Sequence, residues 1–196
     1  MKDKSLLDIP ERFETERLYL RSYRRGDGSC LLAASRRNRQ HLAEFETDNV
    51  ILSITNEEQA EQLASELAAG WQARTSFFIG IFEKQSDDWI GQIYVGVSSW
   101  ETHEFRIGYV VDIGHEGKGF ITEAVGGALR FLFENLKAQR VCLECEDANV
   151  RSISVADRCG FVREGHASEG RKNPDGSFSG TCFYAMQKSD YQLDRT

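Results

Sequence analysis

The sequence predicts an α/β sandwich built on one mixed, largely antiparallel sheet. Three observations lead there. The chain has 196 residues with 40% hydrophobic and 28% charged residues, the balance of an ordinary globular protein, and its length suits one domain. Its apolar residues alternate in some stretches and recur at helical spacing in others. No linker rich in Pro, Gly or Ser divides it, and its two prolines are Pro10 and Pro174.

Residues 1–12 read as a polar arm. Arg17–Tyr23 alternates as a strand, and a helix is expected over Gly26–Asn38 with Leu31, Leu32 and Ala34 inside. Gln40–Thr55 shows no period. Asn56 then stands as an N-cap, followed by Glu57 and Glu58 where carboxylates favour the helix dipole. Ala60, Leu63, Ala64, Leu67 and Trp71 carry that helix to about Arg74. Strands follow at Ser76–Phe82, Trp89–Val97 and Glu104–Val111, with polar turns between them as in antiparallel hairpins. Ala124, Val125, Ala128, Leu129, Leu132 and Leu136 form the apolar face of the clearest helix. Val141–Glu146 is a strand, Val150–Arg158 a short helix, and Phe161–Ser168 and Phe178–Gln187 are strands about the turn Asn173-Pro174-Asp175-Gly176. The total is seven strands and four helices.

Composition and targeting exclude several functions. The net charge of −7 argues against a nucleic-acid binder. The first twenty residues hold no apolar signal segment, and no run of 18 apolar residues suggests a membrane span. The five cysteines then read as free thiols of a cytoplasmic protein. Cys142 and Cys145 fall in a strand, where positions three apart face opposite sides and do not share a metal. The four histidines show no metal-like spacing and read as surface residues. No metal is expected.

Between Tyr109 and Ala124 a strand ends, a loop with Gly114, Gly117 and Gly119 follows, and a helix begins. Free amides at a helix start form an anion site, although a plain strand-to-helix turn would give the same pattern. No P-loop or dinucleotide fingerprint is present. Thirty residues on, Asn149 reads as an N-cap, Gly160 as a helix end and Phe161 as a return to the core.

The element order, the Gly117-Lys118-Gly119 loop and the Asn149-x-x-Ser152…Gly160-Phe161 segment resemble the GNAT acyl-CoA N-acyltransferases. Within them the chain most resembles the ribosomal-protein N-terminal acetyltransferases of the RimJ/RimL type. The Glu14–Arg21 start, Ile107-Gly108-Tyr109, Thr122-Glu123-Ala124 and Arg163-Glu164-Gly165 carry that likeness. It spans about residues 13–191, leaving a tail at 192–196. The resemblance implies a GNAT-like sandwich and acetyl-CoA as cosubstrate, bound where the fourth and fifth strands splay. Backbone groups of Val110, Val111 and Asp112 would meet the pantetheine. The loop and helix start at Gly117, Lys118, Gly119, Phe120, Ile121 and Thr122 would hold the pyrophosphate, and Asn149 would contact the pantetheine. Ser152 fits the family's general acid, or else a second helix-cap hydroxyl.

Two departures from the family pattern stand out. Glu116 replaces a Gln or Arg before the glycines, and its carboxylate opposes phosphate unless Lys118 compensates. Arg106 stands where the family's strand often carries a Glu, so Glu104, two residues earlier, is the substitute base. The expected acceptor is a protein N-terminal α-amine. A small cationic amine and a non-catalytic acyl-CoA-binding module are the alternatives. Homodimerisation is carried over as a tendency of relatives.

Seven carboxylates and no Lys or Arg lie between Gln40 and Ala73, so this stretch holds the whole charge surplus. It reads as a solvated face or as a field drawing a cationic acceptor to its cleft.

Overall fold

The computed structural model describes residues 4–45, 49–172 and 176–193. One eight-stranded sheet runs in the order β1(Arg12–Glu14), β2(Leu18–Ser22), β3(Ser76–Glu83), β4(Trp89–Ser99), β5(Glu104–Val111), β6(Arg140–Glu146), β8(Phe178–Gln187), β7(Val162–Lys172). Every neighbour pair is antiparallel except β5–β6. The helices are α1(Gly28–Phe45), α2(Glu57–Ala73), α3(Phe120–Arg130), α4(Val150–Arg158) and a short α5(Lys188–Leu193).

Period-two alternation sorts the side chains between two cores. Leu18 and Leu20 enter the core under α3, whereas Tyr19 between them enters the core under α1 and α2. In α3, Ala124, Val125 and Ala128 are fully buried against the first core. The helix then passes into a π turn at Phe131–Asn135, which keeps Phe131 and Leu132 inside. Asn56 caps α2 by accepting from the Gln59 amide, and Arg74 closes it in the left-handed conformation.

Three expectations need correction. Among the described residues the sheet has eight strands, not seven, because Arg12–Glu14 pairs with Tyr19–Arg21; three residues are too short to show a period. There are five α-helices among the described residues rather than four, since Lys188–Leu193 adds a last turn and a half. The first helix runs seven residues past Asn38, to Phe45. Its buried seam is Leu31, Ser35, Asn38 and Leu42, at helical spacing. Two of those four are polar, which hides the period.

The C-x-x-C pair behaves as strand geometry requires. Cys145 packs on the first core, while Cys142 Sγ meets Glu104 Oε1 at 3.5 Å. Within the acidic stretch, Glu61 accepts from the Gly26 and Gly28 amides and so anchors the turn into α1. Glu46 and Asp48 lie outside the described residues, as do the Glu44 side chain and most of the turn Asn173-Pro174-Asp175-Gly176. No helix among the described residues is long and apolar enough to cross a membrane.

Candidate active site

The sheet opens between β5 and β6. Their parallel register ends at Ile107–Leu143, although β5 continues to Val111 and β6 to Glu146. Beside this opening, between the end of β5, the start of α3 and the start of α4, lies a cleft of about 560 Å³. Its walls come from Tyr109, Val110 and Val111 of β5, the loop to α3, the first turn of α3 and the start of α4.

The loop to α3 is shaped for close approach. Gly117 and Gly119 have φ of +71° and +76°, a region L side chains rarely adopt. Gly119 is the N-cap of α3 and gives no side-chain bond, so the first amides of the helix face the cleft uncapped. The first-turn acid does not fill this site. Glu123 instead accepts from Thr15 Oγ1, the Arg17 amide and Arg17 Nε at 2.6–2.7 Å. Burial raises its pKa, but these bonds outweigh it and hold the carboxyl below its usual range. Phe120 and Ile121 turn their side chains into the core and line the cleft beside Gly119 and Thr122.

Basic side chains line the cleft together with Glu116, the one carboxylate in its described lining. Glu116 is bound by Arg151 Nη1 at 2.6 and 2.7 Å and lies 3.0 Å from His41 Nε2. Arg158 Nε reaches Thr122 Oγ1 at 3.3 Å and also lines the cleft. The Glu116 charge is thus compensated by Arg151, not by Lys118, with His41 as a further partner. Lys118 lies outside the cleft wall, where its carbonyl accepts from Arg17 Nη1. His41 and His115 are cleft residues rather than surface ones. His115 also comes within 4.8 Å of the carboxylates of Glu83 and Asp88.

Asp112 does not line the cleft either. Its amide donates to Ile90 O, and its carbonyl accepts from the His115 amide. Its carboxylate is 1% exposed and accepts from Arg37 Nε, Asn38 Nδ2 and the Gly114 amide, with His115 Nδ1 at 3.2 Å. It therefore ties α1 to the loop before Gly117. Burial raises its pKa, but the bonds from Asn38, Arg37 and Gly114 prevail and lower it.

Asn149 and Ser152 sit where the cleft meets a second cavity of about 440 Å³. Asn149 Oδ1 caps α4 through the Ser152 amide. The cap is Asn149's, and the Ser152 hydroxyl makes no hydrogen bond among the described residues. Tyr109 donates its hydroxyl to Ser152 O at 3.0 Å and fixes the two walls together. The second cavity also holds Tyr94, Arg106, Glu144 and Glu146.

Glu104 is not brought to this place. It opens β5, whereas Tyr109–Val111 close it; at about 3.3 Å per residue, roughly 16 Å separates them. Glu104 contacts Arg140 Nε at 3.5 Å and Cys142, and lines none of the three described cavities. Glu104 thus stands apart from the cleft, nearer to Arg106 of the second cavity. Sequence reasoning also missed His41, Arg151, Arg158 and Tyr109. One signal for Arg151 was present: a cation in a helix's first turn opposes the macrodipole and needs an anion beside it.

Residues 17–162 match the acetyltransferase (GNAT) domain family. The probable N-acetyltransferase YjcK of Bacillus subtilis is 28% identical over 157 residues, covering 80% of this chain and 84% of that protein. The ribosomal protein uS5-alanine N-acetyltransferase of Escherichia coli is 27% identical over 113 residues, covering 52% of this chain and 58% of that protein. Among solved structures, RimL ribosomal L7/L12 α-N-protein acetyltransferase in complex with coenzyme A superposes with a TM-score of 0.81 at 18% identity, over 90% of this chain and 98% of that one. Such a likeness speaks for the fold. The family match spans most of the sequence, and the chain belongs to the GNAT acetyltransferases: it is an N-acetyltransferase whose acetyl donor is acetyl-CoA.

Proposed function

We propose that the cleft is the acetyl-CoA site and that the acceptor is a protein N-terminal α-amine, of the kind found on ribosomal proteins. The observation that carries the reading is the opening of β5 from β6 directly onto the uncapped start of α3. The uncapped amides from Gly119 to Thr122 hold the pyrophosphate, with Arg151 and Arg158 adding charge. Val110 and Val111 offer backbone groups to the pantetheine, and Asn149 its Nδ2, the end its cap leaves free. Asp112 serves by positioning the loop, and Lys118 contributes long-range charge only.

Acetyl-CoA supplies an activated thioester carbonyl. The acceptor amine attacks that carbon in its neutral form, since an ammonium has no lone pair. Its proton leaves to water in the second cavity, where Glu144 and Glu146 supply negative charge. The C–S bond breaks as the tetrahedral species collapses, and Ser152 Oγ passes a proton to the thiolate as it takes one up from water. The names of the relatives at 27% identity and the CoA-bound structural neighbour support this choice of acceptor and donor.

A thermal shift with acetyl-CoA set against ATP tests the donor site. Thiol release with peptides beginning in Ala or Ser, set against spermidine and other small amines, tests the acceptor. Turnover of small amines with no peptide turned over would overturn the peptide reading. Stabilisation by acetyl-CoA with no acceptor consumed would point instead to a binding module.

A further inference from the structure

A third cavity, of about 410 Å³, shares Tyr109 and Val110 with the cleft. Its wall includes Phe78, Tyr94, Gly108 and one buried polar side chain, Gln92. Gln92 lies in β4 between Gly80 of β3 and Val110 of β5, and is 3% exposed. Its Oε1 is fully buried and has no partner among the described residues. Its Nε2 donates to none of them either.

A native protein rarely leaves such a group unpaired. An apolar side chain of the same shape would remove the penalty of burying it. The space before it is also kept open. Gly108 faces Tyr94 across the β4–β5 ladder, and a Cβ there would meet nothing within 4 Å. The rings of Phe78 and Tyr94 stand 4.9 Å apart as an apolar wall.

We propose that Gln92 reads the first peptide group of the acceptor, its carboxamide turning toward the cavity from the position in which Oε1 is closed off. A carboxamide presents one acceptor and two donor hydrogens on adjacent atoms. A backbone amide presents the complement, an N–H and a C=O. A polyamine offers donors only and would leave Nε2 unpaired, so Gln92 selects for a peptide. The aromatic wall then takes the acceptor's first side chain. This rests on the peptide reading above and names the residue that enforces it.

The test is calorimetric titration of alanyl-alanine amide into the protein with CoA bound, and of the analogue whose peptide N–H is replaced by an ester oxygen. Wild type should bind the ester at least 10-fold more weakly than the amide. Gln92→Met should lose at least 10-fold for the amide, bind amide and ester equally, and keep the acetyl-CoA KM and a Tm no lower than wild type. Equal binding of amide and ester by wild type, or no binding of the amide, overturns the proposal and needs no variant to fold. Amide bound through Gln92 but never acetylated would overturn the proposed function alone. Peptides acetylated equally by wild type and Gln92→Met would overturn the Gln92 role alone.

Discussion

Replacing Asp112 by Ala should unpin the loop that leads to the glycines. Its buried carboxylate joins Arg37 and Asn38 of α1 to Gly114 and His115 of the loop. Hydrogen bonds to charged groups contribute about 1.5–3 kcal/mol each. Arg37 is half exposed and can return to water, and Asn38 Nδ2 keeps Ala34 O, so those losses are partly recovered. The Gly114 amide loses its acceptor. A net cost of about 3 kcal/mol follows. For a chain of this length that lowers Tm by about 6–12 °C. The pH dependence gives an independent check. The Asp112 pKa is lowered from 3.8 in the folded state, so its stabilisation is present above that value and is lost as pH falls through the lowered one. The gap between wild type and Asp112→Ala should thus be full at pH 7 and narrow as pH falls below about 4. Urea titrations over that range measure both. The reasoning fails if the variant melts within about 2 °C of wild type, or if the gap persists undiminished to the lowest pH at which both proteins fold.

Further predictions concern single positions. Arg151→Ala should raise the acetyl-CoA KM about 10-fold, the equivalent of 1.4 kcal/mol, and adding Glu116→Ala should recover part of the loss by removing the stranded carboxylate. Ser152→Ala should lower kcat about 10–100-fold with Tm unchanged, since the α4 cap belongs to Asn149; a fall in Tm at constant kcat would return Ser152 to a structural role. Gly119→Val must hold a β-branched residue at φ +76°; it should cost about 1–3 kcal/mol of stability and weaken acetyl-CoA binding together. Glu104→Gln should leave kcat and its pH profile within about twofold of wild type, because Glu104 stands roughly 16 Å along the strand from the cleft.

What the sequence could and could not disclose follows from the range of each interaction. Asn56 and Asn149 were legible as caps because the donor each serves is three residues away. The cleft's glycine loop was legible for the same reason. The extension of α1 was hidden because Ser35 and Asn38 occupy its inner seam. Asn38 is there to serve Asp112 and the Ile113 amide, both more than seventy residues distant. Glu104 was chosen by alternation, which fixes a residue's face but says nothing of how far along the strand the chemistry lies. The strand's direction decides that, and it places residues 109–111 at the opening.

Glu116 is the clearest case of a residue whose meaning changes with its neighbours. Read along the chain, a carboxylate before Gly117 counts against an anion site. In the fold it is held by Arg151 from α4 and His41 from α1, 35 and 75 residues away. A guanidinium drawn out of water against a cleft wall is costly to desolvate, and the Glu116 carboxylate beside Arg151 offsets that cost. An arriving polyanion then meets side chains already oriented toward negative charge. The repulsion it feels from Glu116 is set against attraction from Arg151, Arg158 and the uncapped amides of α3. Arg151 shifts that balance toward the anion and Glu116 against it, which is why Arg151→Ala and Glu116→Ala should act in opposite directions on acetyl-CoA binding.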